Sequence, residues 1–279
     1  MIKISIITIN YNNGFGLERT IKSTINQDYL NFEYIIIDGD SEDDSKKILE
    51  KYQSKIDYFI SEPDNGIYNA MNKGINISTG KYLLFLNSGD ELCNNLVLTE
   101  ISKTLKDNFD IYYGDLIFLN QGVHDYQKYP DKLSFSFFYE TSLPHPATLI
   151  KKELFEELGN YNENLKIVSD WEFFLKAICK FNKTYKHINI DVSVFDTNGI
   201  SCDENNKKII DMERLLVLEN LFPNFISDYE QLAFRSKLLN SNRFKMLKEL
   251  ESSKLAQKLN SLFLRIILFV FRGKTLKKL

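Results

Sequence analysis

Short apolar runs separated by polar, helix-periodic segments fill the N-terminal part of the chain. Lys3–Thr8 reads as a β-strand that Asn12-Asn13-Gly14 breaks, and Leu17, Thr20, Ile21, Thr24 and Ile25 then recur at helical spacing. Tyr34–Asp38 predicts a buried strand, Gly39–Asp44 a loop, Ser45–Tyr52 a helix, Tyr58–Ser61 a strand and Ile67–Ile77 a helix. Tyr82–Leu86 is the strand around which the rest is organised, a continuous apolar run expected to be covered on both faces. Strands alternating with helices predict right-handed crossovers and a parallel sheet.

The strands end on Thr8, Asp38 and, after the turn Asn87-Ser88-Gly89, on Asp90. Ligands of open α/β sheets bind outside the carboxyl ends of the strands. Hydroxyl and acidic groups there suit a ribose, a base and a hard divalent cation, which in turn suits a diphosphate. A turn in which Asp90 merely caps the following helix is the alternative. No glycine-rich dinucleotide fingerprint follows the first strand and no Walker loop exists, which argues against a dehydrogenase or a P-loop NTPase.

The second half differs. Strands are predicted over Ile111–Leu119, Thr148–Ile150 and His187–Val194, with an aromatic, polar insertion at Gln121–Tyr139 and a proline-stiffened loop at Leu143–Pro146. Lys152–Leu158 reads as a short helix closed by Gly159, and Asp170–Lys180 as a helix with Ser169 as N-cap. From Asp203 the pattern is helical, interrupted near Pro223. The expected division is therefore 1–202 and 203–279. Leu262–Phe271 is apolar except for Arg265, and the last nineteen residues carry five basic side chains and no acidic one. Ten helical residues span about 15 Å, too short to cross a bilayer. An interfacial helix on anionic lipid is one reading, and packing on the catalytic domain or in a homodimer is the other.

Net charge is −3 with both signs interspersed, which gives no reason to expect nucleic acid as a partner. Cys93, Cys179 and Cys202 and the three histidines show neither redox nor zinc spacing. The amino terminus enters a strand at once, so a cytoplasmic protein without signal peptide is expected.

Five stretches, in order, resemble glycosyltransferase family 2: Thr8–Asn12, Tyr34–Asp43, Ser61–Ile75, Asn87–Asp90 and Ser169–Glu172. The resemblance covers roughly residues 1–201. It implies a GT-A fold, which is α/β and Rossmann-like with a mostly parallel central sheet flanked by helices, here with a C-terminal helical extension. It further implies an inverting transfer of sugar from a nucleotide-diphosphate donor of the UDP type. The acceptor would be a saccharide or lipid-linked saccharide in bacterial envelope polysaccharide synthesis, at the inner face of the cell membrane. By position in these stretches, Thr8, Asn10, Tyr11, Asp38, Asp64, Asn65, Gly66, Asn72, Lys73, Ser88 and Gly89 are expected at the nucleotide-sugar. Asp90 would hold Mg²⁺ or Mn²⁺, and Asp170 would be the catalytic base. His145, Trp171 and Glu172 would meet the acceptor, although Trp171 fits a core position equally well. Two departures stand out: the first acidic position of the metal motif is Asn87 or Ser88, and a position that is often basic is Met71. A sugar-nucleotidyltransferase is the rival enzyme, but Asn10–Gly14 lacks the cation that triphosphate would need. A non-catalytic carbohydrate-binding relative is the rival outside enzymology, and the presence of Asp90 and Asp170 counts against it.

Overall fold

In the computed structural model, which describes residues 2–120 and 123–272, strand β1 (Ile4–Asn10) leads into helix α1 (Gly14–Ile25). Then follow β2 (Phe32–Asp38), α2 (Ser45–Tyr52), β3 (Tyr58–Ser61), α3 (Ile67–Ile77) and β4 (Tyr82–Phe85). The bounds of α2, β3 and α3 are those expected from spacing. β1 runs two residues past its expected end because Ile9 and Asn10 stay in register with Ile37 and Asp38.

β3, β2, β1 and β4 form one parallel ladder in that order. Every residue of β1 and β4 is buried, as two covered faces require. On one face Ile4, Ile6, Tyr34, Ile36, Tyr82 and Leu84 share a core with Leu17 and Ile21 of α1. Burial of each such aliphatic side chain contributes about 1.5–3 kcal/mol of transfer free energy. On the other face α3 lies so close to β1 that a Cβ on Gly74 would stand 2.5 Å from Ile7 Cγ2.

The chain continues through a two-residue strand β5 (Glu91–Leu92), α4 (Val97–Thr104), β6 (Ile111–Asn120), β7 (Val123–Gln127), α5 (Phe135–Glu140), β8 (Thr148–Lys151), α6 (Glu153–Leu158), α7 (Ser169–Leu175) and β9 (Tyr185–Asp196). β8 inserts antiparallel between β4 and β6, β9 runs parallel to β6, and β5 closes the far edge against β9. Thus β1, β2, β3, β4, β6 and β9 share one direction, and the sheet is mostly parallel. Asp90 precedes β5 and not a helix, so it caps nothing. The predicted insertion holds β7 and most of α5, while Gln121 and Gly122 fall outside the described residues.

One cap differs from expectation. Val168 occupies the N-cap position of α7, and Ser169 sits inside the first turn, where its hydroxyl accepts from Asn162 N at 2.6 Å. A π-helical turn, Lys176–Lys180, continues α7.

The chain divides into two compact units, Met1–Val217 and Leu218–Leu279. Helix α8 (Lys207–Leu221) runs across the boundary. The second unit holds α9 (Ile226–Asn240), α10 (Asn242–Leu250) and α11 (Lys254–Arg272). No helix among the described residues is long and apolar enough to cross a membrane. The basic residues Lys274, Lys277 and Lys278 lie outside the described residues.

Candidate active site

A cleft of about 980 Å³ opens over the carboxyl ends of the parallel ladder. Its walls come from the segments that leave the strands: Asn10 and Tyr11 after β1, Gly39 and Asp40 after β2, Asp64 and Gly66 after β3, and Asn87, Ser88 and Asp90 after β4. Phe15 and Arg19 of α1 and the segment from Phe195 to Ser201 complete it. At Gly39 a Cβ would stand 2.6 Å from Asp64 Oδ2, the tip of a half-buried side chain, so glycine lets the β3 loop close on the β2 loop without displacing that carboxylate.

Two residues expected at the nucleotide are placed behind this wall. Thr8 is fully buried, its hydroxyl donating to Leu86 O at 2.7 Å, so it ties β1 to the end of β4. Asp38 is also fully buried and does not line the cleft. Its Oδ1 accepts from Asn10 Nδ2 and Ser41 Oγ, each at 2.6 Å, and its Oδ2 from Ser41 N at 3.0 Å and Ser61 Oγ at 2.6 Å. A carboxylate with both oxygens so engaged clamps the ends of β1 and β3 and the loop after β2 together, and Asn10 carries its reach to the cleft.

At the β4 end, Asp90 is 4% exposed, and its Oδ1 accepts from the backbone N of Asp196 at 3.0 Å. Burial pushes its pKa up to about 7; the Asp196 charge pushes the same way and Arg19 opposes it. Gly89, at φ 109°, turns the chain so that Ser88 and Asp90 both reach the cleft. Arg19 pairs with Glu91 at 2.6 Å and stands 3.6 Å from Asp196 Oδ2. Asn87 Oδ1 is buried with no hydrogen-bond partner. Among the described residues no three His, Cys, Asp or Glu side chains gather into a cage. Two carboxylates and an orphaned amide oxygen are nevertheless hard donors that suit Mg²⁺ or Mn²⁺, with ligand oxygens or water completing the shell. The residues present therefore fit a divalent cation.

Asp170 stands in the first turn of α7, off the cleft, and joins it through α3. Tyr68, next to the cleft residue Ile67, donates its hydroxyl toward Asp170 Oδ1 at 2.8 Å and Ile167 O at 2.5 Å. The other acceptor-side candidates are internal. Trp171 is 2% exposed, donates Nε1 to Phe138 O at 2.6 Å, and carries the Arg214 guanidinium 4.9 Å over its ring. His145 is stacked on Phe85 with its Nε2 2.9 Å from Tyr161 OH, and burial lowers its pKa. Glu172 is half-buried, and burial raises its pKa. Asn72 spends its amide on the backbone of Tyr161 and on Glu163. Lys73 pairs with Glu62 at 2.7 Å, and Asn65 is exposed; neither lines the cleft.

Residues 5–167 match the sequence model of the family described as glycosyl transferase family 2, more than half of the chain. The chain belongs to that family. An uncharacterised glycosyltransferase of Mycobacterium tuberculosis is 30% identical to this transferase over 226 residues, covering 79% of this chain and 85% of the relative. The PGL/p-HBAD biosynthesis glycosyltransferase of Mycobacterium bovis is 25% identical over 205 residues, 70% of this chain and 77% of the relative. Among solved structures, S. aureus TarS 1–349 in complex with UDP-GlcNAc superposes with a TM-score of 0.63 at 19% identity, over 79% of this chain and 67% of that one. The transferase spans 40% of the longer S. aureus TarS chain. The mannosyltransferase PcManGT of Pyrobaculum calidifontis, in complex with GDP-Man and Mn²⁺, gives 0.54 at 14% identity, over 93% and 86%. These neighbours share the GT-A fold.

Sequence reasoning missed Asp196, Arg19, Tyr68 and Arg214 in this transferase. Asp196 ends a strand more than a hundred residues beyond Asp90, where no local motif marks it. Arg19 reads as one more polar position on an amphipathic helix. Tyr68 lies inside the third family stretch, where nothing in the local sequence marks the contact its hydroxyl makes with α7.

Proposed function

We propose that the transferase moves a sugar, with inversion, from a UDP-type nucleotide-sugar to a hydroxyl of a saccharide or lipid-linked acceptor in cell-envelope polysaccharide synthesis. The single observation that carries this is the pairing of Asp90 with Asp196, beside an unpartnered Asn87 oxygen, at the mouth of a strand-end cleft. The UDP-GlcNAc bound by TarS supports the donor class, and the biosynthetic name of the mycobacterial relative supports the pathway class.

In this reading Tyr11, Asp64, Gly66 and Ser88 receive the nucleotide and its phosphates, while Asp38 and Asn10 hold those loops in place. Asp90, Asp196 and Asn87 would hold the divalent cation, which supplies Lewis-acid neutralisation of the departing diphosphate. Arg19 adds a fixed positive charge to the same corner. On the acceptor side a carboxylate oxygen of Asp170 takes the hydroxyl proton, the acceptor oxygen bonds to the anomeric carbon, and the bond from that carbon to the diphosphate oxygen breaks. One displacement from the opposite face inverts the anomeric centre. The catalytic segment is residues 1–202. The 203–279 segment, whose α11 has no acidic residue and carries Lys254, Lys258 and Arg265, places the enzyme on anionic lipid.

The test is transfer from a panel of nucleotide-sugars with Mg²⁺, Mn²⁺ or chelator, using wild type and Asp170→Asn. Turnover by Asp170→Asn should fall by ~10²–10⁴-fold with donor affinity nearly unchanged, and the wild-type product should be inverted. A retained anomer, or near-wild-type turnover of the variant, removes Asp170 from the role. Full activity in chelator would remove the cation.

A further inference from the structure

The base reading leaves one question open, namely what holds Asp170 in a defined orientation when α7 is set off from the donor cleft. Tyr68 is the second residue of α3 and is 4% exposed, with its ring against that of Tyr161 at 5.6 Å between centroids. Its single hydroxyl proton faces two acceptors, Asp170 Oδ1 at 2.8 Å and Ile167 O at 2.5 Å. The two residues before it, Gly66 and Ile67, line the donor cleft, and Gly66 N is held by Asp64 Oδ1 at 2.8 Å. One helical turn therefore carries a donor-loop contact at its start and a contact to Asp170 immediately after it.

We infer that Tyr68 is a positioning residue that orients Asp170 through its Oδ1, leaves Oδ2 to the acceptor hydroxyl, and couples the carboxylate to the rim of the donor cleft. This rests on Asp170 being the base. Before transfer, the phenol donates to the negative carboxylate, which is the stronger acceptor. Once Oδ2 has taken the acceptor's proton, the carboxyl is neutral and Oδ1 accepts less strongly. The phenol proton can then turn to Ile167 O, so that no charge is left unpaired in the pocket and no atom is exchanged.

Titratable groups reach Asp170 from several elements. They are Tyr68 on α3, His145 in the turn before β8, Tyr161 in the loop before α7 and Arg214 on α8. Glu172 lies on its own helix. Burial holds the two phenols well above their ordinary range, so both stay neutral in acid, and it lowers His145 against the opposing pull of the Asp170 charge. Arg214, though also lowered by burial, remains a constant positive charge there. A general base must be unprotonated to act, so its protonation sets the acid limb of the rate profile.

The experiment is the pH dependence of kcat and of donor KM for the full chain carrying Tyr68→Phe, Asp170→Asn, or both. Tyr68→Phe should lower kcat by about tenfold or more with donor KM changed less than about threefold. Its acid limb should move up by about one pH unit, because the carboxylate has lost a donor. Adding Tyr68→Phe to Asp170→Asn should cost nothing further in kcat, since the first acts through the second. A purely structural tyrosine would instead lower the melting temperature, leave the acid limb in place and add its cost to that of Asp170→Asn; that result overturns the inference. Should Tyr68→Phe fold poorly, difluorotyrosine placed at position 68 keeps the shape and donates more strongly. The limb should then move down, and an unmoved limb again overturns the inference. Near-wild-type turnover of Asp170→Asn would bring down the base assignment itself, whereas its loss alongside a wild-type profile for Tyr68→Phe would bring down only the role of Tyr68.

Discussion

Asp38 and Glu33 do similar work at opposite ends of the ladder. Asp38 collects four hydrogen bonds, from the last residues of β1 and β3 and from the loop after β2. Asp38→Ala removes the acceptor of the Ser41 and Ser61 hydroxyls, at about 1–3 kcal/mol for each group left buried and unpaired, while the Asn10 amide keeps Ser41 Oγ and Ser45 Oγ. We expect a lowered denaturant midpoint together with weakened donor binding; an unchanged midpoint in urea unfolding would contradict the clamp. Glu33 accepts from Lys3 Nζ at 2.6 Å and Ser5 Oγ at 2.5 Å, and from the backbone of Thr79 and Gly80. Burial acts to raise its pKa, but these bonds outweigh burial and hold it down to about 2. A depressed carboxylate contributes stability above its unfolded pKa near 4.5 and loses that contribution as pH falls toward 2. Allowing for the half-exposed Lys3, the contribution is about 2 kcal/mol. Glu33→Gln should flatten the melting temperature between pH 5 and 3, where the wild-type value falls.

At the level of elements, the cleft is set by how closely strand-end loops approach one another. Gly39→Ala would drive a methyl into Asp64 Oδ2, and Asp64 is only half-buried, so the loop can yield. Donor affinity should fall about tenfold, measured by calorimetric titration, with melting nearly unchanged. Most of these elements were legible in the sequence: α2, β3 and α3 announce themselves through uninterrupted periodicity, and β4 through an apolar run between turn residues. The site was legible only where function and motif are contiguous, as at Asn87–Asp90. Thr8 and Asp38 show why: a polar group at a strand end is either presented to a ligand or consumed by its neighbours, and the choice lies with Leu86, Ser41 and Ser61 on other segments. Trp171 and His145 turned inward for a related reason. Each found a backbone or phenol partner inside the core, at Phe138 O and Tyr161 OH, so burial left no polar group unpaired.

At the scale of the whole molecule, the two compact units carry different surfaces. Leu255, Leu259, Leu262, Ile266 and Phe269 of α11 are exposed and follow helical spacing. Removing residues 261–279 should abolish sedimentation with anionic vesicles while sparing transfer to a soluble acceptor analogue, and high salt should weaken binding by the intact chain. Equal sedimentation of the two forms would favour packing against protein. The insertion of β8 between β4 and β6 bears on synthesis as well as on shape. As the polypeptide leaves the ribosome, β1 to β4 can pair at once, yet the outer edge of β4 has no neighbour until Thr148–Lys151 emerges. Throughout that interval a buried-type strand, Tyr-Leu-Leu-Phe, presents unpaired backbone to its surroundings, an open template for another nascent chain. The corner built from Asp90 and Asp196 is completed later still, when β9 emerges, so the growing chain acquires its β1–β4 ladder before its chemistry, and the most vulnerable stage of its production falls between the two.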